Sequence, residues 1–219
     1  MNDEYLLTLL VLTISALLTG GCRRTETTYW DSGLKKSELS YRGKRYEGVS
    51  TWYYANGNKQ MEATYHQDLL EGKTTRWFFS GEVESVIYYS GNQKNGLSVT
   101  FDESGNKVSE EYYLNDTLHG AYTSWFGNGK VRIRGYFDHG FYDSTWAYFN
   151  ESGQHIGEGA YSDGNGLQRG FYTNGRVMRE IPYLKNMKHG EERWFDENGS
   201  LERILVFEHN QLIGEKPAQ

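Results

Sequence analysis

From Thr28 to Gly214 the chain alternates short aromatic and apolar runs with polar positions at a period of two, punctuated by Asn-Gly and Ser-Gly pairs. A period of two marks strands with one covered face, not helices. Ser50-Thr51-Trp52-Tyr53-Tyr54 reads as one strand and Lys59 to Tyr65 as its partner. Asn56-Gly57 reads as the turn between them, because glycine accepts the positive φ that tight hairpins need.

The unit recurs. One glycine series is Gly33, Gly57, Gly81, Gly105, Gly129, Gly153, Gly175 and Gly199, with steps of 24 residues except one of 22 after Gly153. Four positions before each glycine stands a ring: Tyr29, Tyr53, Trp77, Phe101, Trp125, Phe149, Phe171, Phe195. Eight positions after it stands another: Tyr41, Tyr65, Tyr89, Tyr113, Phe137, Tyr161, Tyr183, Phe207. A second series, Gly48, Gly72, Gly96, Gly120, Gly190 and Gly214, follows the first, with Ser144 replacing it once. In the short repeat Gly166 keeps its nine-residue distance to Gly175, so the two missing residues fall between Tyr161 and Gly166. A connecting loop is the expected place, since loops tolerate deletions.

Six positions after the first glycine the residue is small or apolar in seven of eight copies, and it shares a face with the ring two residues on. The intervening position holds Glu38, Glu62, Val86, Glu110, Arg134, Glu158, Glu180 and Ile204, which predicts a face toward water. One hairpin cannot hide its rings, whereas stacked copies bury each against its neighbours. The expectation is an all-β fold: an extended single-sheet meander of about eight stacked β-hairpins after an N-terminal signal helix. With strands about 4.8 Å apart, it would form a rod of the order of 75 Å.

Composition agrees with many short strands: aromatics are 16% of the 219 residues, with 26 glycines and 2 prolines. The net charge of −6 argues against a nucleic-acid partner. The single cysteine rules out an internal disulfide framework and a cysteine-rich zinc site.

Leu6 to Leu18 is a nearly continuous apolar stretch, short for a membrane span and suited to the core of a signal peptide. Small residues follow it, Thr19-Gly20-Gly21, directly before Cys22. This resembles the lipobox of bacterial lipoproteins. The resemblance implies cleavage before Cys22, its lipidation, and a chain held at the bacterial cell envelope by a membrane anchor. The division expected is a signal peptide over 1–21, a lipidated tether over 22–28, the repeat array over 29–214 and a C-terminal tail over 215–219. Thr19 departs from the usual aliphatic residue, and the leader is acidic (Asp3, Glu4) with Arg23 and Arg24 on the far side of the apolar run. An uncleaved anchor with cytoplasmic repeats is therefore the alternative.

Trp52-Tyr53-Tyr54-Ala55-Asn56-Gly57-Asn58-Lys59 and Trp125-Phe126-Gly127-Asn128-Gly129-Lys130 resemble the MORN repeat, in the bacterial variant of YwqK-family antitoxins. The resemblance implies a meander of hairpins, contact with proteins or membranes, and neutralisation of a partner toxin by binding. It brings no catalytic residues.

No nucleophile elbow, His-Glu-x-x-His or phosphate loop is present, and the expectation is a protein without catalytic activity, cofactor or metal. His119 and His189 share a repeat position three repeats apart, and His139 sits at another register, so these read as surface histidines. Two binding surfaces are candidates. A carboxylate row of Glu38, Glu62, Glu158 and Glu180 could meet a basic partner, or could be a solvated face balanced by Lys35, Lys59 and Lys107. Rings outside the two columns, among them Trp52, Tyr54, Phe78, Tyr88, Tyr112 and Tyr136, could form a contact patch. The function expected is a non-catalytic envelope lipoprotein that binds a protein partner. A structural scaffold or a carbohydrate- or wall-binding module is the alternative.

Overall fold

The computed structural model describes residues 22–218, so the expected signal peptide lies outside the described residues. Those residues form one antiparallel sheet of 19 strands with no helix. The sheet is a meander in chain order, from Arg23–Tyr29 to Gln211–Pro217, each strand pairing with those next to it along the chain. Two of the nineteen, Arg45–Tyr46 and Met187–Lys188, are stubs of the strands Gly48–Tyr53 and Gly190–Phe195.

Two kinds of turn alternate. At the first glycine series the chain closes a three-residue loop: Tyr54 N donates to Asn58 O and Gly57 N donates to Tyr54 O, and the pattern repeats at all eight sites. This is a type I turn finished by a left-handed glycine, with φ of 79–102° across the series. Between repeats lie two-residue turns such as Gln67-Asp68, Asn115-Asp116, His139-Gly140 and Lys185-Asn186, both residues at positive φ. Their backbone twist matches that of the strands they join.

The second glycine series is not a turn. In the strand Leu69–Trp77, Leu70 pairs with Tyr65 and Thr74 with Ala63, so two extra residues bulge out around Gly72. Gly48, Gly72, Gly96, Gly120 and Gly190 all sit at such bulges with φ of 81–125°, and Ser144 is held there at 58°. The short repeat lacks the bulge: Ser162 to Gly157 pair with Asn165 to Gly170 without a break. Its two-residue turn, Asp163-Gly164, remains. The missing pair was therefore lost from a strand, not from the loop that sequence reasoning favoured. Two residues equal one pleat period, so the loss leaves every side chain on its face.

The core is a thin line along one face. Seven positions before each first-series glycine after Gly33, Ser50, Thr74, Ser98, Tyr122, Trp146, Gln168 and Glu192 pair directly with Ala63, Ile87, Glu111, Gly135, Gly159, Ile181 and Leu205. Volume is traded across each pair. Where rings enter the first column at Tyr122 and Trp146, the partner column shrinks to glycine. Next to them the rings eight positions after the glycine form a chain, Tyr41–Tyr46–Tyr65 at 4.8 and 5.1 Å and Phe137–Tyr142–Tyr161–Tyr183 at 5.3–5.6 Å. Tyr46 and Tyr142, at the starts of their strands, bridge successive repeats.

The turns also bind each other. Asp68, Asn92, Asp116 and Asn210 each accept a hydrogen bond from the backbone N of the residue 22 positions earlier, at 2.7–2.8 Å. In return their own N–H donates to that residue's carbonyl. Where Gly140 and Gly164 offer no side chain, Asn186 reaches further, accepting from Tyr142 N and donating to Gly140 O, both at 2.8 Å.

The segment expected as a tether, 22–28, instead supplies the first strand, because its backbone pairs along its length with Lys35–Arg42. The tail expected from Glu215 likewise joins the sheet through Pro217, pairing with Arg203, Ile204 and Leu205. Both end strands are exposed throughout and carry charges or proline, which discourage further pairing.

Candidate functional site

Seven positions after the first-series glycine, three consecutive repeats carry tyrosine: Tyr88, Tyr112 and Tyr136. The other copies hold Ser40, Thr64, Ala160, Pro182 and Val206. The pleat turns this column away from the ring chain, and the three side chains are 40%, 40% and 38% exposed. Successive members lie about 10 Å apart, two strand spacings. Tyr88 and Tyr112 are seated over the bulge glycine of the next strand. A Cβ added at Gly96 would lie 3.5 Å from Tyr88 Cβ, and one at Gly120 only 2.9 Å from Tyr112 Cβ. At Gly96 and Gly120 glycine serves both the positive φ of the bulge and the close approach of the tyrosine.

The carboxylate row shares this side of the sheet but is largely engaged. Lys35 lies 2.6 Å from Glu38, Lys59 2.6 Å from Glu62, and Arg169 2.9 Å from Glu180. The rings four positions before the glycine lie on this face too, which is why these glutamates are half-buried instead of fully wet. Tyr53 donates its hydroxyl to Glu38, and Lys59 stands 5.2 Å over the Trp77 ring. The hydrogen bonds from Lys35 and Tyr53 hold the Glu38 carboxyl below its ordinary pKa. Burial, with help from Glu38, pushes Tyr53 up to about 12. Glu158 is exposed and borders a shallow hollow with His155, Leu167 and Arg169. The structure thus leaves no continuous run of free carboxylates among these four.

Of the ring candidates, Trp52 is half-buried and meets Tyr65 edge-on at 6.3 Å. Tyr54 packs on Phe79 and donates its hydroxyl to Trp77 O at 2.8 Å. Phe78 is half-buried, whereas its neighbour Phe79 is 60% exposed. Cys22 is a free, exposed thiol directly before the first strand.

The histidines do not sit apart as their registers implied. The two-residue turn at His139-Gly140 folds back over the start of the preceding strand, with Gly140 N donating to Leu118 O at 2.8 Å. That brings His139 against His119, ring centroids 4.7 Å apart, with Asp138 between them. Asp138 Oδ1 is 3.0 Å from His119 Nδ1 and 2.6 Å from His139 Nδ1. The spacing that could have revealed this is the 22-residue reach of the turn ladder, which offsets counted along flat strands do not show.

A family model described as "MORN repeat variant" matches residues 46–67, 94–115, 118–139, 165–185 and 188–209. Each match spans one unit of the observed geometry: a strand, bulged in all but the short repeat at 165–185, a glycine turn and a return strand. The chain is a MORN-repeat protein. The same hairpin is built at the MORN-like units that the model does not match, such as Leu69–Trp77 with Val83–Ser90. No curated protein matches the chain. A solved structure described as the crystal structure of TcdB2-TccC3-TEV is similar over 84% of this chain, at 11% identity and a TM-score of 0.24. The MORN-repeat chain spans 12% of the length of that solved chain.

Proposed function

We propose that this MORN-repeat protein is a non-catalytic lipoprotein of the cell envelope that binds a protein partner through the face bearing Tyr88, Tyr112 and Tyr136. The observation that carries the reading is the tyrosine row itself. Five other repeats fill the same position with Ser, Thr, Ala, Pro or Val, so packing does not require a ring there. Three exposed rings on a sheet held by continuous backbone pairing form a pre-organised contact strip, and tyrosine is enriched where binding energy concentrates. The likeness to YwqK-family antitoxins adds the nature of the partner, a toxin held inactive by contact. An acyl group on Cys22 would set the first strand directly at the membrane surface, with no spacer between lipid and sheet.

Replacing the three tyrosines by threonine, the residue already present at Thr64, keeps the fold and removes the strip. Affinity capture from native envelopes should then lose a stoichiometric protein that the parent chain retains. Equal capture by both chains, or retention of the parent on peptidoglycan alone, would refute the protein-binding reading. Cys22→Ser should release the chain from membranes if the lipid anchors it; continued membrane retention refutes that part.

A further inference from the structure

We infer that the repeat-turn edge carries two binding sites for a divalent transition-metal ion of the zinc, copper or nickel class. One is built from His119, Asp138 and His139, and the other from His189, Glu208 and His209. The first set meets the geometric condition directly. One ligand atom from each of its three residues lies within 4.8 Å of the other two. Tetrahedral coordination with bonds of about 2.0–2.1 Å puts ligand atoms about 3.3 Å apart. The Asp138 contacts of 3.0 and 2.6 Å need to open by about 0.3 and 0.7 Å to reach that spacing. The side chains are accessible, at 32%, 50% and 69% exposure for His119, Asp138 and His139, so an ion can enter and water can complete its shell.

The second set occupies the same repeat positions seventy residues further along, although its ligand atoms do not converge within 4.8 Å as those of the first set do, so its side chains must rotate to close on an ion. His189 and His209 repeat the ring contact, with centroids 5.1 Å apart. His189 Nδ1 is buried without a hydrogen-bond partner among the described residues. Its counterpart, His119 Nδ1, is the atom that meets Asp138. Other repeats do not place histidine at both positions. The residue before the second-series glycine, or before Ser144 in its place, is Glu47, Glu71, Asn95, Asp143, Asn165 or Ile213, and the first turn residue is Gly43, Gln67, Gly91, Asn115, Asp163 or Lys185. An acidic residue directly precedes the turn histidine only in the two paired sets. Two imidazoles and one carboxylate suit borderline ions and leave a coordination position open. An ion there would pin one turn to the start of the strand before it, reinforcing the hydrogen-bonded ladder of that edge.

The array supplies substitutions that it already tolerates. His139→Gly copies Gly43 and Gly91, and His119→Asn copies Asn95 and Asn165. The purified full chain is titrated with zinc by calorimetry and with cobalt by visible absorption. Two equivalents should bind, with cobalt bands showing nitrogen–oxygen coordination. His139→Gly or His119→Asn should each remove one equivalent, and His139→Gly with His209→Gly should remove both, weakening affinity at least tenfold. A parent chain that binds a single equivalent, lost with His139→Gly, would keep the first site and overturn the second. No binding by the parent chain, or a stoichiometry that His139→Gly leaves unchanged, would overturn the inference.

Discussion

Gly135→Ala tests whether volume trading across the core line holds the middle of the sheet together. A Cβ at position 135 would fall 2.1, 2.4 and 2.5 Å from Trp146 Cδ2, Cε2 and Cε3. The indole cannot swing clear. It is 4% exposed, its Nε1 donates to Tyr136 O and Asp143 O at 3.1 and 3.2 Å, and Tyr122, Phe137 and Tyr142 pack around it at 4.8–5.7 Å. Forcing extra volume into a packed core costs about 1–3 kcal/mol. Gly135 itself lies outside the left-handed region, so alanine is otherwise allowed and stabilises by about 0.4–1 kcal/mol through the unfolded chain. The net loss should be about 1–2 kcal/mol with Trp146 in place. In a Trp146→Ser background, which restores the serine found at Ser50 and Ser98, the same alanine should gain about 0.5 kcal/mol. The coupling between the two sites is then about 2 kcal/mol. Urea unfolding of the four chains, followed by circular dichroism, measures it. If Gly135→Ala changes stability equally in both backgrounds, within about 0.5 kcal/mol, the steric account is wrong.

Ser144→Gly should stabilise the chain by about 1 kcal/mol, because Ser144 alone among the bulge positions at positive φ carries a side chain; a lower urea midpoint would contradict this. Asn186→Gly keeps the left-handed turn but removes two hydrogen bonds, and should cost about 1–2 kcal/mol; Asn186→Ala should cost about 1 kcal/mol more, and equal losses would discount the turn geometry. Burial raises Tyr148 from 10.0 to about 12, so the unfolded chain gives up that proton first. Stability from this group is full below pH 10 and is lost as pH climbs toward 12. Tyr148→Phe should flatten the fall in urea midpoint over that window, and an unchanged slope would refute the assignment.

The ring column eight positions after the glycine and the small-residue column were legible because each obeys the pleat, and they placed the strands, the covered face and the glycine turns correctly. The rings four positions before the glycine, in contrast, lie on the opposite face with the glutamates. Three things were hidden. Gly72 and its equivalents look like turn glycines, since a lone glycine marks a bulge and a turn alike, and only pairing on both sides of the strand tells them apart. The two-residue turns share a φ sign and not a residue, as Gln67-Asp68 and Lys185-Asn186 show. Ser50, Thr74 and Ser98 are polar by composition yet buried, because small side chains are what the facing Ala63, Ile87 and Glu111 leave room for. The exposed tyrosines were recognised as surplus rings, but which of them stand free depended on the bulges beneath. The histidine cluster needed the fold-back of a turn onto an earlier strand, a contact that no pattern within one hairpin announces.

Every strand in this sheet finds its partners among its immediate neighbours in the chain, so nothing made late is needed to finish what is made early. A polypeptide built this way can acquire structure in order of arrival, each new hairpin docking on the rim left by the last as it leaves a ribosome or an export channel. The exposed rim then moves along with the growing end, and the molecule never has to wait for its two ends to meet.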